Sequence, residues 1–208
     1  MPDYVLSQGD AGTVWPAAIL LAVTSIGLLL SRDWRWSLGL LAAQYFAAFW
    51  LVLAHWPLTM SAAQLVTGWM AAAVLGMTQL GLKDDDSAAE TSWPEGRLFR
   101  TFAAGLVVVT VTSAAQSVSA WLPDARPGVV WGGLVLIGMG LLHLGISVHP
   151  LRIILGLLTT LAGFEILYVS VENSILVAGL LAIVTLGLAL TGSYLLSLDV
   201  PDALEAAE

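Results

Sequence analysis

Cysteine is absent from this chain of 208 residues, and lysine occurs once, at Lys83. Without cysteine there are no disulfides, no thiolate metal sites, no iron–sulfur ligation and no cysteine nucleophile. Charge is scarce too. Only 11% of residues are charged, against about 25% in an ordinary soluble domain. Polar intervals are short, about fifteen residues at most, which leaves no room for a separate soluble domain. No basic patch invites nucleic acid. The net charge of −8 comes from acids in the loops and the C-terminal tail. No sustained alternation suggests a barrel strand. No Ser/His/Asp set, HExxH or phosphate loop appears, so no active site and no cofactor are expected.

What the chain has is apolar length. Hydrophobic residues make up 58%, and runs of 18 or more recur throughout. Such runs define an all-α polytopic membrane protein. Seven spans are expected, near 14–31, 36–55, 61–82, 98–122, 129–147, 151–171 and 175–198. Pro16 is expected in the first turn of the first helix, where proline is tolerated. The N-terminus, MPDYVLSQGDAG, lacks the basic region of a cleavable signal, so the first helix is expected to be retained. The spans divide into a four-helix region (1–127) with a polar loop at 83–97, a three-helix region (128–198) and an acidic tail (199–208). The loop carries Asp84, Asp85 and Asp86, which read as a solvated run or a cation-binding one.

Counting positive charges sets the orientation. With seven spans, Arg32, Arg35, Lys83, Arg97, Arg100 and Arg152 share one side, and Arg126 alone lies on the other. The positive-inside rule then places the N-terminus outside and the C-terminus in the cytoplasm. Trp15, Trp56, Trp121 and Trp131 fall near the outer ends, and Trp34 and Trp36 near an inner end, as an interfacial belt would. The glycines of the fifth span read as a packing face, since close backbones gain contact in lipid.

Away from the ends of these spans one charge stands out, Glu165. It lies thirteen residues after Arg152, about 20 Å of helix, and so past the midplane toward the outer side. A carboxyl in hydrocarbon is expensive and marks either a functional group or a structural contact. On its own helix Tyr168 can hydrogen-bond to it, and Glu172 lies seven residues on. Glu165, Tyr168 and Glu172 are therefore expected to form a polar stripe leading outward. Two readings stay open: a proton relay, or a protonated acid bonded to a neighbouring helix. His143, in the fifth span, is a further relay candidate, with packing as its plainer role. His55 and His149 lie at opposite helix ends and cannot share a metal, so no metal site is expected. Gln44, Tyr45, Gln64, Gln79 and Gln116 are expected to bond between helices or to line a hydrated path.

The last three spans, Gly132–Leu198, resemble a known family of small three-helix membrane subunits. Its members occur in complex I, where the member is subunit K, and in multisubunit sodium/proton antiporters. LRIILGL (Leu151–Leu157) is similar to the loop-to-helix segment of the antiporter member. LAGFEIL (Leu161–Leu167) is similar to the segment of complex I subunit K that holds its membrane glutamate. LGLAL (Leu186–Leu190) is similar to part of that family's third helix. The corresponding subunit of group 4 membrane hydrogenases is a longer relative with extra N-terminal helices. Two departures stand out. Arg152 and Glu165 are slightly farther apart than the corresponding pair in subunit K, and the family's second membrane glutamate falls on Ile183. The resemblance implies lateral proton transfer beside an antiporter-like subunit, with Glu165 the residue carried over. The expectation is therefore a non-catalytic subunit of a proton-translocating respiratory or antiporter-type complex, in a bacterial cytoplasmic membrane. Its partners would be other membrane subunits and the lipid bilayer, with no nucleic acid. The rivals are a structural scaffold subunit of another membrane assembly and a small stand-alone transporter.

Overall fold

In a computed structural model, residues 3–53, 55–82, 96–122, 125–172 and 174–198 are described, with the side chains of 3–13 and of Arg97 left out. These residues form seven helices and no strand: α1 (Asp3–Leu30), α2 (Trp34–Val52), α3 (Leu58–Gly81), α4 (Arg97–Trp121), α5 (Pro127–Ile146), α6 (Pro150–Val169) and α7 (Ile175–Leu198). The acidic loop and the tail lie outside the described residues. Five helices, α3 to α7, are long and apolar enough to cross a membrane. The stretch of α1 with described side chains, Val14–Leu30, is shorter. In α2 the apolar content is diluted by Arg35, Gln44 and Tyr45.

Local chemistry sets the helix starts. Pro127 and Pro150 sit in the first turns of α5 and α6, where the missing N–H would have had no helical partner anyway. The Asp33 carboxylate caps α2 by accepting from the Arg35 backbone N–H at 2.9 Å, a standard N-cap bond. One expectation is corrected. The first helix begins at Asp3 and runs through Pro16, which therefore lies in its interior rather than in its first turn.

The helices pack in the cyclic order α1, α2, α3, α7, α6, α5, with α2 also touching α6 across the middle and α4 lying outside against α5 and α1. The four N-terminal helices and the last three are thus interleaved. The tightest pair is α5 with α6. A Cβ on Gly163 would stand 2.6 Å from the Gly133 carbonyl oxygen, and one on Gly140 would stand 2.8 Å from that of Gly156. Two backbones in contact fix the rotation of α6. Glu165, two residues beyond Gly163, is about 200° round the helix and so points away from α5, toward α3 and α7.

At one end of the bundle, Arg100 donates to the Leu29 carbonyl (3.5 Å) and Arg152 to the Ser31 carbonyl (3.2 Å). Cations there complement the C-terminal carbonyls of α1. Arg32 lies in the adjoining α1–α2 connection and Arg35 in the first turn of α2, while Arg126 is the N-cap residue of α5 at the opposite end. That opposite end also holds Trp56.

Candidate functional site

Glu165 is 5% exposed and sits where α3, α6 and α7 meet. Gln64 on α3 donates its Nε2 to Glu165 Oε2 at 2.7 Å. Thr185 on α7 donates its Oγ1 to Glu165 Oε1 at 3.3 Å. The same Thr185 hydroxyl is 3.0 Å from the Leu181 carbonyl. A hydroxyl has one proton and two lone pairs, so it cannot donate to both at once. With Glu165 ionised, Thr185 can donate to it. With Glu165 protonated, Thr185 can donate to Leu181 and accept from the carboxyl. Gln64 has matching freedom, since its Oε1 is buried without a hydrogen-bond partner. An amide turned over would offer that oxygen to a protonated acid. The carboxyl can therefore keep a hydrogen bond to both Gln64 and Thr185 in either protonation state.

Further polar groups lie behind this pair. Tyr45 on α2 is 1% exposed, its ring packed flat on Gly68 of α3, where any Cβ would run into it. Its hydroxyl faces Glu165 and Thr185. Beside it Gln44 donates to Thr159 of α6 at 3.3 Å. On the Trp56 side of Glu165 lies a cavity of about 30 Å³ walled by Trp56, Met60, Gln64, Thr67 and Val169, with Ala178 and Ala182 of α7. This is space for on the order of two water molecules, and polar groups to hold them are present.

The structure distributes the sequence candidates unevenly. Glu165 is at the centre of the polar cluster. Tyr168 is not bonded to it; half-buried, Tyr168 stacks on Phe164 with ring centroids 6.3 Å apart. Glu172 is exposed beyond the end of α6, and its backbone carbonyl accepts from Trp56 Nε1 at 3.3 Å. The polar groups around Glu165 come from α3 and α7, and the cavity beside it lies between three helices rather than along one face of α6. His143 is buried in the last turn of α5 with its Nε2 unpartnered, and the charges acting on it are Arg152 and Arg100. That is the arginine end, on the order of 20 Å along the bundle from Glu165. Ile183, in the place of the second glutamate, is 69% exposed on α7. Among the described residues no three His, Asp or Glu side chains gather as metal ligands would.

Thr185 was invisible in the sequence because one threonine in an apolar span is ordinary. Gln64 was visible as a polar residue but not as the partner of Glu165, which lies 101 positions away. Trp56, read as a belt residue, is only 6% exposed: its indole N–H ties the α2–α3 turn to the α6–α7 turn and roofs the cavity.

Compared with known proteins, the chain matches no family model, no curated protein and no solved structure.

Proposed function

We propose that this chain is a non-catalytic integral membrane subunit of a larger, proton-translocating complex, in which Glu165 exchanges protons with a neighbouring subunit. It would cross the bilayer seven times, with the N-terminus outside and the C-terminus in the cytoplasm. The gathering of Arg32, Arg35, Arg100 and Arg152 at one end, opposite Arg126, supports that orientation. A bacterial cytoplasmic membrane is the location we propose with it.

The observation that carries the relay role is the double-acting Thr185 hydroxyl beside Glu165. A purely structural acid needs one hydrogen-bonding arrangement; two acceptors within reach of one hydroxyl allow two, differing by a proton. The cavity beside Glu165, on its Trp56 side, is the route by which we propose that water and protons reach it. Toward the arginine end the interior holds the fully buried Leu75, Leu155, Leu158 and Ala189, with the Gln44–Thr159 pair among them. On this reading a proton taken up at Glu165 leaves sideways, to a partner subunit. The exposed apolar faces of α4 and α7 are the surfaces a partner would cover, including Phe102, Leu106 and Val109 on α4 and Ile183, Val184 and Leu190 on α7.

Glu165→Gln tests this directly. Gln preserves the shape and can bond to Gln64 and Thr185, but it cannot titrate. Coupled transport by the purified complex should be lost with assembly intact; normal transport in that variant rejects the relay role. A scaffold reading is favoured by one observation, that Glu165 bridges α3 and α7. On that reading Glu165→Ala loses assembly while Glu165→Gln transports normally.

A further inference from the structure

At the arginine end an open groove of about 580 Å³ runs between the end of α1, the start of α2 and the second turn of α4. Its volume is within the range of about 300–1,000 Å³ that small-molecule sites occupy. The walls change character along the helix axis. Gly27, Leu30 and Leu40 line the part nearer the bundle centre; Ser31, Arg32 and Thr101 line the mouth. Gly27 and Ser31 are one turn apart, about 6 Å. The groove therefore passes from apolar to polar over the distance separating an acyl chain from its headgroup. Trp36, which also lines it, is 71% exposed, as an interfacial ring would be.

We infer that this groove holds one phospholipid with an anionic headgroup, its phosphate at Arg32 and its upper acyl chain along Gly27 and Leu40. Charge complementarity selects the headgroup. Among the described residues this end carries Arg32, Arg35, Arg100 and Arg152, with Asp33 the acid lining the groove. Arg100 and Arg152 are held by α1 carbonyls, the Arg35 guanidinium lies 5.3 Å over the Trp34 ring, and Asp33 caps α2. Arg32 is exposed at the mouth. Basic pockets between helices on the positive side of a membrane protein are where anionic lipids are expected to lodge. The inference concerns a different site from Glu165 and stands whether or not Glu165 titrates.

Native mass spectrometry of the purified chain, offered equal amounts of phosphatidylglycerol and phosphatidylcholine, tests it. The parent protein should retain one phosphatidylglycerol in preference. Arg32→Gln should lower that preference about fivefold, the factor expected of one arginine at an anionic lipid surface. Thr101→Trp, at an exposed position on the wall, should obstruct the groove and weaken retention of lipid of either kind. Arg126→Gln at the far end should change nothing. An unchanged preference in Arg32→Gln, an equal fall in Arg126→Gln, or lipid retained undiminished by Thr101→Trp overturns the site. Displacement of the lipid by inorganic phosphate alone would overturn the lipid as occupant and leave a small-anion site.

Discussion

Gly163 of α6 meets Gly133 of α5 backbone to backbone, with no room for a methyl group between them. This contact aims Glu165 away from α5, so the site depends on a residue that carries no chemistry. Gly163→Ala should cost on the order of 1–3 kcal/mol, the usual penalty of overpacking, because backbone rather than a flexible side chain is in the way. Gly145→Ala in the same hairpin meets nothing within 4 Å and should leave stability unchanged or raise it slightly. Thermal unfolding in detergent compares the two; equal melting temperatures would mean that α5 and α6 do not touch there.

Removing one partner of a buried pair leaves the other with its full desolvation penalty, about 1–3 kcal/mol. Gln64→Leu should destabilise by that amount, since Glu165 then lacks its 2.7 Å bond. The double variant Gln64→Leu with Glu165→Leu should recover most of the loss, because no polar group remains stranded. Additive losses in this cycle would show that the two side chains do not interact.

Thr185→Val keeps the shape and removes the hydroxyl. Interhelical hydrogen bonds in membranes are worth about 0.6 kcal/mol on average, so the expected loss of stability is of that order. The effect on the hydrogen bonding of the Glu165 carboxyl should be plainer. In infrared spectra taken across pH, the carboxylic acid carbonyl band that vanishes in Glu165→Gln should shift in Thr185→Val and return to its place in Thr185→Ser. A band indifferent to Thr185 would remove the two-state hydroxyl from the site.

These residues also mark the boundary of what can be read in the chain. The helices are legible because apolar length is the membrane's own requirement, and Pro127 and Pro150 announce the starts of α5 and α6. Glu165 is legible because a lone acid in hydrocarbon is anomalous. Its partners are not. A helix apolar all round has no hydrophobic stripe to reveal its inward face, so a search along α6 alone finds Tyr168 and Glu172 and misses Gln64 and Thr185. Trp56 misleads for a related reason. An indole near a span end reads equally well as a lipid anchor or as a cover over a cavity, and only the packing of α3, α6 and α7 around it distinguishes the two.

The absence of cysteine makes the cavity testable one residue at a time. Ala178 lines it near the start of α7, and Leu190 is 61% exposed on the outside of the same helix. If the cavity is wet and opens at the Trp56 end, Ala178→Cys in sealed vesicles should react with a membrane-impermeant thiol reagent from the extracellular side only. Leu190→Cys, facing lipid or a partner, should not react from either side. Trp56→Ala should speed the reaction at Ala178→Cys several-fold, because it removes both the indole roof and the bond to the Glu172 carbonyl. Trp56→Phe keeps most of the roof and should speed it less. Reaction from the cytoplasmic side would reverse the orientation read from the arginines. Failure to react from either side would make the cavity dry and leave Glu165 without a route for its proton.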